Sequence, residues 1–183
     1  MMIGNATISF ETQGPSNQSS INTHAVHVEK IALLFGKAIG LRAHALSILS
    51  WGCFLHDAGK IYLPQSYFEQ AILSPDDYEE IKRHPGLGYI ALRNIDFNKD
   101  ALEIVLYHHE RYDGTGYPFG LKGEEIPLAA RICALADSFE VMFWGRNYQR
   151  YKTYPEIIAD ISANSGTQFD PELADRFIKF LDR

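Results

Sequence analysis

The sequence is poor in cysteine, carries no surplus of positive charge and has no long apolar run. Cys53 and Cys133 are its two cysteines in 183 residues, and both sit inside apolar helical patterns. A disulfide framework is therefore excluded, and the pair reads as reduced core thiols of a cytoplasmic protein. No stretch approaches the roughly 20 apolar residues of a membrane-spanning helix, so no membrane partner is expected. Residues 1–20 lack a basic segment followed by an apolar one, and no signal peptide is read there. With 17 Lys and Arg against 23 Asp and Glu, the formal charge is −6. That balance speaks against holding polymeric nucleic acid by its backbone. One small anionic substrate remains compatible, because carboxylates committed to a metal count as negative while the ion's own charge is left out of the sum. Internal repeats and strand alternation are also missing. Lys122 follows no GxxxxGK[ST] spacing, and no Ser/His/Asp or Cys/His signature is present.

What is present is helical periodicity nearly throughout, so the fold class is all-α. Residues 1–20, rich in Gly, Pro, Ser and Asn, read as a flexible arm, with one domain from 21 to 183. Val28, Ile31, Ala32, Leu34, Phe35 and Ala38 recur at helical spacing up to Gly40. A second helix runs from about Ala43 to Leu55 and delivers His56-Asp57 at its end. Ser74-Pro75-Asp76-Asp77 and Asp170-Pro171-Glu172 are helix starts, and Thr153 with Glu156 resembles a capping box. Residues 99–109 and 127–143 form further helices, one ending in His108-His109 and one carrying Asp137. Residues 111–126, with five Gly or Pro, form a long ordered loop of the kind that is often functional.

Five of the seven histidines fall in chemistry-bearing positions. Neighbours on a regular helix diverge by about 100°, but at a loosened terminus His56 and Asp57 can aim at one ion or at two adjacent ones. Gly59 is read as the stop of that helix. His108-His109 closes the apolar run Ala101-Leu106, where imidazoles are costly unless ligated or hydrogen-bonded. His84 precedes Pro85 and marks a break between helices. Asp137 closes the apolar run Ile132-Ala136, and a buried carboxylate is costly unless paired or metal-bound. His24 is a plausible further ligand, His27 an ordinary packed residue and His44 a surface one. Imidazoles and carboxylates without thiolate suit Fe, Mn, Ni or Zn rather than Ca or Mg. The pool is larger than one tetrahedral ion needs and fits two carboxylate-bridged ions, which can activate a hydroxide for in-line phosphoryl displacement.

From about Ile21 onward these residues resemble the HD-GYP family of HD-superfamily phosphohydrolases. The resemblance rests on Leu55-His56-Asp57-Ala58-Gly59-Lys60, on residues 82–88, and on the block from His108 to Pro118, His-His-Glu-Arg-Tyr-Asp-Gly-Thr-Gly-Tyr-Pro. Ile126-Pro127-Leu128, Arg131-Ile132 and Gln168-Phe169-Asp170-Pro171 add to it. It implies a helical bundle with a di-metal site, commonly iron or manganese, that hydrolyses cyclic di-GMP to pGpG and onward to GMP. Asp57 would bridge the ions, and His56, His84, His108, His109 and Asp137 would complete their shells. His24 matches an early histidine that is a ligand in three-metal members, but those carry a Glu where Ser20 stands, so two metals are expected and His24 is secondary. Lys60 and Arg146 would grip phosphate, and Asp113, Gly114, Gly116 and Tyr117 would shape the substrate side. Gln149 stands where a lysine is common, and Trp144-Gly145 is unusual, which bears on substrate grip. Members of the family usually carry a receiver or sensory domain, so either a partner such as a diguanylate cyclase or response regulator supplies regulation or the chain is a stand-alone or trimmed catalytic domain, and oligomers are compatible. The competing readings are a non-hydrolysing module that docks partners through the GYP loop and a di-iron oxygenase.

Overall fold

The computed structural model describes residues 2–3, 6–7, 17–68, 72–95, 98–145 and 151–182, with side chains from Thr23 onward. Eight α-helices run through the described residues: α1 Asn17–Ala38, α2 Ala43–Leu55, α3 Pro75–Ile81, α4 His84–Leu92, α5 Lys99–Tyr107, α6 Leu128–Trp144, α7 Tyr154–Ala163 and α8 Pro171–Leu181. Short 3-10 turns occupy Ala58–Tyr62, Gln65–Phe68 and Gly123–Glu125. Two two-residue strands, β1 Met2–Ile3 and β2 Ala6–Thr7, pair antiparallel ahead of the bundle. The all-α class expected from the periodicity is the architecture found. No helix of the described residues is long and apolar enough to cross a membrane.

Much of the expected N-terminal arm lies outside the described residues. Its last part is helical: α1 begins at Asn17 rather than near Ile21. Once an apolar face has nucleated a helix, each added residue gains a backbone bond at little further cost, so polar residues can extend it.

Helices α1 and α6 form the centre of the bundle. Val28, Ile31, Ala32 and Phe35 of α1 pack in one cluster with Leu49 and Cys53 of α2 and with Ile132, Cys133, Leu135, Ala136 and Phe139 of α6. Helix α8 closes the cluster with Leu173, Ala174, Phe177, Phe180 and Leu181, a spacing that places them on one helical face. Phe35 and Phe177 meet edge to face with centroids 4.9 Å apart, a geometry worth about 0.5–1.5 kcal/mol beyond its buried area. Both cysteines are buried and free, and the hydrogen bond that the Cys133 thiol donates to Cys53 together with burial pushes that thiol up. As expected, they are reduced core residues.

The helix starts read from the sequence are present. Ser74 caps α3 by accepting from the Asp77 N–H at 3.1 Å. Glu156 accepts from the Thr153 N–H at 2.6 Å at the start of α7. Asp170 accepts from the N–H groups of Glu172 and Leu173 at 2.8 and 3.1 Å and also pairs with Arg131, which ties α8 to α6. Helix α3 stops three residues before His84, and α4 opens at His84-Pro85, the break expected there.

Candidate metal centre

The end of α2 places the first two donors. His56 keeps helical backbone angles, whereas Asp57 sits at φ −95°, ψ 6°, the sparsely allowed region where active-site residues are often found. That turn lets both side chains face the bundle interior. Gly59 has a different role from the expected helix stop: its φ is not positive, and a Cβ there would lie 1.9 Å from the His84 carbonyl oxygen. The missing side chain lets the turn Ala58–Tyr62 press against α4, and this close approach brings His84 to Asp57.

Three imidazoles are oriented by carbonyls at helix ends three residues earlier in the chain. The Nδ1 atoms of His56, His84 and His108 lie 2.7, 2.7 and 3.0 Å from the carbonyl oxygens of Cys53, Ile81 and Val105. A carbonyl only accepts, so each Nδ1 carries a proton, and each ring turns inward its Nε2, the atom with the lone pair in the unprotonated ring. Those Nε2 atoms converge. His84 Nε2 lies 3.2 Å from His108 Nε2, and Asp57 Oδ1 lies 3.3 Å from His84 Nε2 and 3.8 Å from His108 Nε2.

Across Asp57 lies a second group. His24 Nε2 is 3.3 Å from His56 Nε2, 3.2 Å from Asp137 Oδ1 and 3.7 Å from Asp57 Oδ2. Asp57 thus belongs to both groups of potential ligands, His84, His108 and His109 on one side and His24 and His56 on the other. Every sequence-assigned ligand is brought to this point, His24 as fully as the rest. Lys60 Nζ donates to Asp57 Oδ2 at 2.5 Å.

The electrostatics suit a cation. Burial alone would raise the Asp57 carboxyl, but Lys60 and His56 outweigh it and hold it well below the ordinary carboxylate value. Burial, then the neighbouring imidazoles, lower His108 well below the usual histidine value, and the same causes bring His109 to about 3. The metal-free centre therefore offers an ionised Asp57 and unprotonated His108 and His109 at neutral pH. Asp57 Oδ1 is buried and accepts no hydrogen bond, an arrangement that is costly without a cation beside it. The donors fit divalent metal ions.

The loop from Glu110 to Ile126 flanks the centre. Glu110, buried, accepts from the N–H groups of Phe119 and Leu121 at 2.7 and 3.1 Å and so pins the loop. Asp113 Oδ1 accepts from Thr115 N–H and Oγ1 at 2.9 and 2.6 Å, and these bonds together with Arg111 lower its carboxyl to about 2. A Cβ on Gly116 would lie 2.3 Å from Arg111 N, so no side chain fits there. Gly114 takes φ 83° at the loop's tight turn. Tyr117 stacks on His109 with centroids 4.8 Å apart, and burial raises its phenol above the ordinary value. Beside His109 and Asp137 opens a cleft of about 390 Å³, also lined by Ser138, Met142, Lys152 and Gln168. Arg146 and Gln149 lie outside the described residues.

Two residues escaped the sequence reading. Glu140 is buried on α6, with Oε2 2.6 Å from His24 Nδ1 and Oε1 3.3 Å from His27 Nδ1. Its signal was available: a Glu three residues after Asp137, and so on the same helical face, inside an apolar run. His27, expected as an ordinary packed residue, is buried, stacks on Trp144 at 4.5 Å and holds the other oxygen of Glu140. His44 is exposed, as expected.

A family model described as HD domain matches residues 8–173. The chain belongs to the HD-domain family, in its HD-GYP branch. The cyclic di-GMP phosphodiesterase of Thermotoga maritima is 35 % identical over 170 residues, covering 90 % of this chain and 46 % of that protein. The cyclic di-GMP phosphodiesterase response regulator RpfG of Xanthomonas campestris is 39 % identical over 152 residues, covering 81 % and 40 %. This HD-GYP chain thus spans less than half the length of either relative. The structure of Bd1817, an HDGYP protein from Bdellovibrio bacteriovorus, superposes with a TM-score of 0.73 at 20 % identity over 89 % of this chain and 53 % of the other. That likeness shows the fold.

Proposed function

We propose that this HD-GYP chain is a metal-dependent phosphodiesterase that opens cyclic di-GMP to linear pGpG, with GMP as the product of a second cut, in the cytoplasm. The observation that carries the reading is Asp57, buried and shared between two groups of imidazoles, with one oxygen that accepts no hydrogen bond. In this reading Asp57, His84, His108 and His109 hold one ion, and His24, His56, Asp57 and Asp137 hold the other. Iron or manganese suits the set best, with zinc or nickel as alternatives. Bound there, two divalent ions would supply an activated water and neutralise charge on the phosphate.

The chain's own residues do the rest. Asp57 and the oriented imidazoles fix where the phosphate sits. Lys60, beside Asp57, grips a non-bridging oxygen, and Arg146 is assigned a second grip. The cleft beside His109 and Asp137 receives what the phosphate carries. Glu110 holds the loop through Asp113, Gly114 and Gly116, so that Tyr117 covers His109 and keeps water from that side. The relatives named cyclic di-GMP phosphodiesterases support the substrate. A second substrate is favoured by one further relative, the 3'3'-cGAMP-specific phosphodiesterase 2 of Vibrio cholerae, which is 27 % identical over 99 % of this chain and matched over 34 % of its own length.

The test incubates iron- or manganese-loaded protein with each cyclic dinucleotide and follows products by chromatography. The expected result is pGpG from cyclic di-GMP. Faster turnover of 3'3'-cGAMP would reassign the substrate, and no turnover of either at full metal occupancy would refute the activity.

A further inference from the structure

We propose that Glu140 is the positioning residue that creates the second metal position, and that the two positions consequently differ in how their metal is lost. The inference rests on the two-metal reading above. Its basis is a difference in how the imidazoles are held. His56, His84 and His108 are oriented by neutral carbonyls at nearby helix ends, three residues back in each case. His24 lies within α1, where the backbone carbonyls are committed to the helix, and its Nδ1 instead meets a buried carboxylate 116 residues away. Glu140 accepts the Nδ1 proton at 2.6 Å, which leaves the Nε2 lone pair facing Asp57, Asp137 and His56. A carboxylate behind a ligating imidazole fixes its tautomer and raises its basicity, and removing such a partner typically costs about 10- to 100-fold in metal affinity.

The second oxygen of Glu140 is held by His27, whose ring is stacked on Trp144. This contact fixes the carboxylate's rotamer, so Glu140 cannot swing away from His24 without breaking a buried pairing. His27 therefore supports Glu140 and does not itself face the centre. Helix α6 supplies both Asp137 and, one turn later on the same face, the group that aims His24 at it. Helix α6 thus supplies two groups of the second position, which also takes His24 from α1 and His56 and Asp57 from the end of α2, while the first depends on the ends of α2 and α5 and the start of α4.

The experiment titrates Mn²⁺ into metal-free full-length protein by calorimetry and follows coupling between the ions by electron paramagnetic resonance. Wild type is expected to take two ions and show a coupled pair. Glu140→Gln is expected to keep the first ion with affinity within about threefold, to weaken the second by about 10- to 100-fold, and to show an isolated ion at intermediate metal. Glu140→Asp keeps the charge but is one methylene shorter, and should recover part of the loss; it also serves if the Gln variant does not fold. His27→Phe keeps a ring on Trp144 but frees the second oxygen of Glu140, and should leave the first ion within about threefold while weakening the second by less than Glu140→Gln does. Two wild-type affinities in Glu140→Gln would overturn the proposal, as would equal weakening of both positions or a wild-type protein that saturates at one ion. None of these readouts depends on turnover, so a failure to cleave cyclic di-GMP would be seen separately.

Discussion

The two sides of Asp57 are built by different means. On one side His84 and His108 stand at helix boundaries, and each ring is oriented by a carbonyl three residues earlier in the chain. On the other side His24 and Asp137 lie within long helices, and His24 is oriented by Glu140 across the bundle. A local hydrogen bond forms as soon as its helix end forms. A long-range one exists only when α1 and α6 are packed. The first side is thus specified by short sequence motifs and the second by the core between Val28 and Phe139.

Asp57→Ala should have the largest effect, because it removes the one group common to both sides. Metal content should fall to below one ion per chain and cyclic di-GMP turnover by about a thousandfold or more, equivalent to several kcal/mol of transition-state stabilisation. Elemental analysis and chromatography of the products check this. Retention of two ions would show that the sides do not share a ligand. His84→Ala should separate them: one ion per chain should remain, held by His24, His56, Asp57 and Asp137, while activity drops by about a hundredfold. Loss of both ions together would mean the sides bind cooperatively.

Acid should act on the locally built side first. The folded state holds His109 near 3 and His108 also below its ordinary value. An imidazole kept neutral in the fold but free to protonate when unfolded contributes stability that is complete above pH 6.5 and is lost as pH falls toward 3. The lowered Asp57 carboxyl adds a loss of the same sign below its ordinary value of 3.8. Metal-free protein should lose about 2 kcal/mol between pH 7 and pH 5 from His109, with a further loss of the same sign from His108, measured by urea unfolding. Replacing His109 by Asn should flatten that slope; an unchanged slope would place the titration elsewhere. The smallest effect is expected from Ser74→Ala, which removes the cap of α3 at a cost of about 1 kcal/mol. Thermal unfolding should register it while metal content stays at two. A drop in metal would show that orientation of His84 by the Ile81 carbonyl depends on the stability of all of α3.

Much of the centre was legible because its residues break local rules. Imidazoles at the end of the apolar run Ala101–Leu106, a carboxylate closing Ile132–Ala136 and a histidine before Pro85 each conflict with their surroundings unless a cation resolves the conflict. The capped starts of α3, α7 and α8 were legible for the opposite reason, because cap chemistry is local. Gly59 was misread for want of a neighbour: only the approach of α4 shows why a side chain is forbidden there. Glu140 gave a weak signal, since an isolated Glu in a helix is ordinary until its burial against His24 and His27 is seen.

By itself the sequence singled out the helical class, the six candidate ligands His56, Asp57, His84, His108, His109 and Asp137, with His24 as a secondary one, and the ordered loop beside them. It could do so because periodicity, caps and motif spacing are written within a few residues of one another. Only the tertiary structure decided which potential ligands share a side of Asp57, that His24 stands beside His56 and Asp57, and that Glu140 meets its ring. The relations of His24 to Asp137 and Glu140 join residues more than a hundred positions apart, and they exist only once α1 and α6 have buried their apolar faces against each other.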